Sequence, residues 1–261
     1  MSVSCKTRPA IRRVFITGAS SGLGAALARH YAQEGAVLGL VARRAEMLQA
    51  LATTLPAECA IYAVDVRDAG DLQQAAEDFM ARFGTPDIVI ANAGISRGTL
   101  TEEIDDLSAF QAVFDTNVMG MVHSFHPFVT PMREAGYGSL VGIASVAGLR
   151  GLPGSGAYSA SKAATISYLE SLRVELAGSG VSVTTLCPGF ITTPMTAINP
   201  YRMPFLMDAD TAARKMARLI DARRRYAIVP WQMAIIGRLM ELLPPILWDT
   251  LTRGMQRKPR R

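Results

Sequence analysis

In Arg13-Val14-Phe15-Ile16-Thr17-Gly18-Ala19-Ser20-Ser21-Gly22-Leu23-Gly24, a short apolar run breaks into glycines and serines. The run Arg13 to Thr17 reads as a buried strand, and Leu23 to Glu34 as a helix. The turn between them carries three glycines. Without a Cβ there, backbone N–H groups can approach a pyrophosphate at the helix N-terminus. The spacing Gly-x-x-x-Gly-x-Gly departs from the Gly-x-Gly-x-x-Gly form, but the strand–turn–helix context is the one a nucleotide site needs.

Further strands are expected at Val37 to Val41, Ile61 to Val64, Ile88 to Ile90, Ser139 to Ile143 and Val181 to Leu186. Helices are expected over 44–54, 71–83, about 107–133 and 157–177. Strands alternating with helices across short connections predict an α/β chain, with a parallel sheet covered by helices on both faces.

The 261 residues suit one large domain, and 49% hydrophobic against 19% charged residues excludes a disordered chain. The formal charge is +5, and Arg253, Arg257, Lys258, Arg260 and Arg261 match that excess. The body is therefore balanced, which argues against a nucleic-acid-binding face. The tail reads as a solubilising end or a contact for an acidic surface. Cys5, Cys59 and Cys187 give neither a disulfide framework nor zinc spacing, which fits a reducing, cytoplasmic compartment. No signal-type apolar region follows the basic N-terminus, and no uncharged apolar run reaches the roughly 18 residues of a membrane span. His30, His123 and His126 lack metal-like partners, and the latter two are expected near a helix end before Pro127. Asp105 and Asp106 read as a solvated helix start.

Two features carry chemistry. Eighteen residues beyond Gly24 comes Ala42 and not an acid, followed by Arg43 and Arg44. An acid at the end of the second strand would hold a free ribose 2′-hydroxyl, whereas a basic residue accepts a 2′-phosphate, so NADP(H) is expected over NAD(H). Tyr158 and Lys162 are four apart, which puts them on one face of a helix, one turn apart. A fixed ammonium beside a phenol favours its ionised form, making Tyr158 a general acid or base near neutral pH.

With Asp65-Val66, Asn92-Ala93-Gly94, Asn117, Ser145 and Pro188-Gly189 falling in order between these features, the chain resembles a short-chain dehydrogenase/reductase over about residues 12–195. The resemblance implies a single Rossmann-like doubly wound parallel sheet of about seven strands. It implies a catalytic domain over 1–225, with a cofactor half to about 145 and a substrate half beyond it. Gly18, Ser20, Ser21, Gly22, Leu23 and Gly24 would hold the pyrophosphate side. Asp65 and Val66 would meet the adenine, and Asn92, Ala93 and Gly94 the adenosine ribose side. Ala91 stands where the family often has another asparagine. Pro188, Gly189, Ile191 and Thr193 would flank the nicotinamide. Ser145 would donate to the substrate carbonyl, Tyr158 would move the proton, and Lys162 would lower the Tyr158 pKa and hold the nicotinamide ribose. Asn117 would bend its helix and anchor a water.

Residues 190–210 are apolar and irregular, with Met195, Met203, Phe205 and Met207. The family uses this region as a substrate lid, and adaptable methionines suit a lipophilic carbonyl or alcohol. Leu149, Leu152 and Phe190 are further pocket candidates. Residues 226–261 read as a basic extension with two amphipathic helices around Pro244-Pro245. These would cover the core, meet a partner in a homodimer or homotetramer, or lie peripherally on an anionic membrane. The extension is weakly similar to that of lipid- or steroid-acting members such as 3-ketosphinganine reductases. A 3-oxoacyl-carrier-protein-type reductase and a non-catalytic NADPH-binding scaffold are the alternatives.

Overall fold

Val14 and Ile16 point to one side of strand β1 (Arg13–Thr17) and Phe15 to the other, and all three are fully buried. A strand apolar on both faces must lie inside a covered sheet, and β1 does. It pairs in parallel with β2 (Val37–Val41) on one side and β4 (Ile88–Ala91) on the other. The computed structural model describes residues 11–260.

The main sheet has seven strands in the order β3-β2-β1-β4-β5-β6-β9. Strand β3 spans Cys59–Tyr62, β5 Gly138–Ile143, β6 Val181–Pro188 and β9 Tyr226–Val229. Every pairing is parallel. The chain runs outward one way from β1 to β3 and the other way from β4 on. The crevice between the carboxyl ends of β1 and β4 is thus the switch point where ligands of such sheets bind.

Helices α1 (Gly22–Gln33), α2 (Ala45–Thr54) and α8 (Ala209–Asp221) share one core with Val14, Ile16, Leu38 and Leu40. Helices α3 (Ala69–Phe83), α5 (Gly120–Ala135) and α6 (Gly156–Glu175) share the other with Phe15, Val89 and Leu140. Three departures from the sequence reading bear on the site. Tyr226–Val229 is not part of a helical extension but the edge strand of the main sheet, beside β6. The stretch read as one helix over 107–133 is α4 (Asp106–Phe114), a π turn (Asp115–Met119) and α5. Pro127 and Pro131 lie inside α5, so His123 and His126 are not at a helix end. Packing of Phe125, Phe128 and Met132 in the core outweighs the two lost N–H donors.

Beyond β6 the chain forms a small ribbon of β7 (Ile191–Thr192) and β8 (Met207–Asp208), with the short helix α7 (Pro194–Ala197) between them. After β9 come α9 (Trp231–Leu242) and α10 (Pro245–Thr252), split at Pro244-Pro245. Trp231, Ile235, Leu239, Leu242, Ile246 and Leu251 on these helices remain exposed, so only part of the pair serves this subunit's core. Among the described residues, no helix is long and apolar enough to cross a membrane.

Candidate active site

The loop from β1 into α1 makes the floor of a cleft at the switch point. Gly18 and Gly22 adopt φ of 68° and 56°, a region that penalises any side chain. A Cβ on Gly24 would strike the Gly18 carbonyl and come within 2.5 Å of Asn92 Nδ2. Asn92 in turn donates to the carbonyls of Thr17 and Gly18, both at 3.1 Å, and ties the end of β4 to the loop. Ser21 at the N-cap makes no side-chain cap, and the first turn of α1 has no acid. Its free N–H groups and positive dipole end are what a phosphate anion needs. The glycine cradle and this uncapped helix start fit a dinucleotide.

Gly18, Ser20, Ser21, Gly22, Leu23, Arg43, Arg44, Asp65, Val66, Asn92, Ala93, Gly94, Tyr158, Lys162, Pro188, Gly189, Ile191 and Thr193 all line this one cleft, along with Ser145. Gly24 does not; it packs beneath the loop. Thr116, Pro194 and Thr196 also line it and were not foreseen, because no local pattern marks them.

At the far end, Arg44 Nη2 lies 3.4 Å from the hydroxyls of both Ser20 and Ser21. Arg43 is 64% exposed along its side chain, 3.9 Å from Asp65. Asp65 is held mainly by Arg67, whose Nη2 is 2.7 Å away. Burial works to raise the Asp65 pKa, but the hydrogen bonds and charge of Arg67 outweigh it and keep the carboxyl below its ordinary value.

At the near end, Ser145 follows β5 and Tyr158 sits in the first turn of α6. The Ser145 hydroxyl accepts from Ala147 N at 3.1 Å and lies within hydrogen-bonding reach of the Tyr158 hydroxyl. Lys162 is on the same face of α6, as its spacing requires. Its Nζ, however, donates to the Ile143 carbonyl at 2.7 Å and lies 5.8 Å from the Tyr158 ring centroid. The expectation that Lys162 lowers the Tyr158 pKa is therefore corrected for this state. Burial pushes the phenol above its ordinary value, against the opposing Ser145 hydrogen bond. Burial also brings the Lys162 ammonium down to about 8.

Asn117 lies in the π turn, fully buried behind the cleft. Its Oδ1 accepts from Ile95 N at 2.8 Å, while Nδ2 donates to the Ile95 carbonyl at 3.0 Å and to Ser161 Oγ at 2.9 Å. The π turn interrupts the helix at this position. Cys187 is fully buried near Lys162 and Tyr226, and burial pushes its thiol up to about 11, which keeps it an inert thiol.

Residues 12–201 match the sequence profile of the family described as short chain dehydrogenase. The chain belongs to the short chain dehydrogenase family. This short chain dehydrogenase is 38% identical to an uncharacterized oxidoreductase of Myxococcus xanthus (strain DK1622), over 94% of this chain and 98% of the relative. It is also 38% identical to 2-dehydro-3-deoxy-L-rhamnonate dehydrogenase (NAD(+)) of Sphingomonas sp. (strain SKA58), over 72% of this chain and 75% of the other. Among solved structures, levodione reductase superposes with a TM-score of 0.74 at 28% identity, covering 84% of this chain and 95% of its own. A short chain dehydrogenase is an oxidoreductase.

Proposed function

We propose that this oxidoreductase moves a hydride between NADP(H) and a carbonyl or secondary alcohol, with Tyr158 as the proton donor or acceptor. The observation that carries the reading is the Ser145–Tyr158 hydroxyl pair at one end of a glycine-floored cleft, with Lys162 buried behind it. When bound, the nicotinamide supplies or accepts the hydride. Gly18 to Gly22, Asn92, Pro188, Gly189 and Thr193 would hold it. Ser145 would donate to the carbonyl oxygen, where negative charge grows. Tyr158, kept protonated by its burial, would deliver its proton to that oxygen in reduction and take it back in oxidation. Asn117 would fix the Ile95 backbone beside the reacting groups.

Preference for NADP(H) rests on Arg44, poised over the two loop serines, and on the exposed Arg43 at the cleft mouth. The NAD(+) in the name of the Sphingomonas relative makes this a point to test. Replacing both arginines by Ala should raise KM for NADPH about 10–100-fold, the value of one or two charge-assisted hydrogen bonds, and leave KM for NADH within about threefold. Equal changes for both cofactors would exclude a role in 2′-phosphate binding. A lipophilic substrate fits the lid, where Met195 lines the cleft and Phe190 packs edge-on to Tyr201 at 6.4 Å. Rates with a panel of acyl, steroid and sphingoid ketones and both cofactors test the reaction class; a 3-oxoacyl or 3-ketosphinganine substrate would appear there. No turnover of any member, with tight NADPH binding, would favour the scaffold alternative.

The exposed apolar face of α9 and α10 supports an oligomer contact. These helices carry Arg238 against Glu241 and Asp249, so they offer an anionic bilayer no excess of positive charge. Arg260 of the basic tail is engaged within the chain. Light scattering should show the protein as a dimer or tetramer, with Leu242→Asp plus Ile246→Asp reducing its mass toward a monomer. A monomeric wild type, or flotation of the wild type with anionic vesicles lost in the double variant, would reverse this assignment.

A further inference from the structure

Residues 257–260 fold back across the protein and bring Lys258 beside the Tyr158 ring. Gly98 N donates to the Pro259 carbonyl at 3.0 Å. A Cβ on Gly98 would strike the Lys258 carbonyl and come within 2.6 Å of the Pro259 carbonyl oxygen, so the two backbones touch. A Cβ on Gly154 would lie 2.8 Å from the Arg257 Cβ. Arg260 Nε pairs with Asp106 at 2.9 Å, and its Nη2 with Glu103 at 3.1 Å. Asp106 is thus buried and occupied, receiving the Leu100 N–H as well, and is not the solvated helix start its sequence suggests.

The consequence is the placement of Lys258. This lysine is 7% exposed. Its Nζ donates to Ser96 Oγ at 2.8 Å and lies 6.0 Å from the Tyr158 ring centroid, so two ammonium groups, Lys258 and Lys162, attend that one ring. Lys162 has the Ile143 carbonyl and a place in the cofactor cleft. Lys258 has one neutral hydroxyl. Among the described residues, no carboxylate lies within 4.0 Å of it, while the neighbouring Arg260 has two. Burying a charge without a counter-charge is costly, and burial has already moved this ammonium down to about 8. An anion entering beside Tyr158 would relieve that cost. One ammonium beside one hydroxyl matches a monoanion with two acceptor oxygens better than a phosphate dianion.

We propose that Lys258, held by the folded-back strap, is a specificity-determining residue that binds a carboxylate on the substrate, so that the preferred substrates are oxo acids or their hydroxy counterparts. This rests on the oxidoreductase reading and narrows its lipophilic substrate to one with an acidic end. The test reads NADPH-dependent rates for levulinate and its longer straight-chain homologues, each beside its methyl ester. The wild type should favour at least one acid over its ester by about 10–100-fold in kcat/KM, the worth of a charge-assisted hydrogen bond. Lys258→Met should bring that ratio near unity, and Lys258→Arg should restore part of it. Gly98→Val, which displaces the strap without touching the ammonium, should lower the ratio too. An unchanged ratio in Lys258→Met, or esters preferred by the wild type, overturns the proposal. If neither acids nor esters turn over, the oxidoreductase reading fails for this set, and thermal unfolding decides the anion site. An acid-specific rise in Tm that disappears in Lys258→Met keeps it, and the absence of that rise removes it.

Discussion

Tyr158→Phe should lower kcat by about a thousandfold on any accepted substrate, within the range that removal of a general acid produces, while KM for NADPH stays within about threefold. The ring remains and only the hydroxyl is lost, so the walls of the cleft should hold. Ser145 would keep its hydrogen bond to the substrate oxygen but could not replace the proton, because a serine hydroxyl is too weak an acid. The pH dependence follows from burial, which places the phenol above its ordinary value. Reduction should therefore be flat through neutral pH and fall only at high alkalinity, where Tyr158 loses its proton. Oxidation should climb with pH over the same range. Steady-state rates of both directions from pH 6 to 10 check this; a reduction rate that halves near neutrality would mean that a cationic neighbour has drawn the Tyr158 pKa down once the cofactor is bound.

Lys162→Met should act in opposite directions on stability and turnover. Lys162 is 4% exposed and its ammonium titrates at about 8 in the folded protein, against an ordinary 10.5. Holding that charge costs the fold up to about 3 kcal/mol, since each pKa unit is worth ~1.4 kcal/mol. Met keeps the length of the stem and removes the charge, though the Ile143 carbonyl loses a donor, worth about 1 kcal/mol. The net expectation is a stabilisation of about 1–2 kcal/mol at pH 7, together with a fall in kcat of at least a hundredfold. Between pH 8 and 10.5 the unfolded wild-type chain keeps a proton on Lys162 that the folded chain has released. Wild-type stability therefore gains with rising pH across that window. The variant lacks this gain, so its advantage is full below pH 8 and gives way above 10.5 to a deficit of about 1 kcal/mol, the hydrogen bond to the Ile143 carbonyl. Urea unfolding of both proteins at pH 7 and pH 10 measures it, and a variant less stable at pH 7 would show that the ammonium is net stabilising. A buried charge retained against its cost is what a functional site requires.

The six strands from β1 to β6 were legible because each is a short apolar run bounded by turn residues, although β3 lies at Cys59–Tyr62, two residues before the Ile61 to Val64 expected; the glycine-floored cleft was legible because its glycines must sit where a Cβ would collide. Strand β9 was not. Only Pro230 parts Tyr226 to Val229 from the apolar sequence of α9, so composition alone did not separate them. The Tyr158–Lys162 spacing placed both residues on one face correctly, but not the direction of the ammonium, which a carbonyl of β5 decides. The strap escaped notice for the same reason. Its contacts join Gly98 to Pro259 and Asp106 to Arg260, and a basic tail without periodicity does not advertise a distant partner.

The π turn at Asp115–Met119 is, in effect, a one-residue insertion within a longer helix. Removing Val118 would restore an unbroken α-helical hydrogen-bond ladder and so improve the local backbone. The flanking helices would keep their present phase, because the bulge already absorbs the ~100° that one extra residue adds. Phe125, Phe128 and Met132 would still face the core, and what would go is the widened turn that holds Asn117 against Ile95. The surplus residue is absorbed locally, so one continuous rod serves a core with one half and the candidate site with the widened turn.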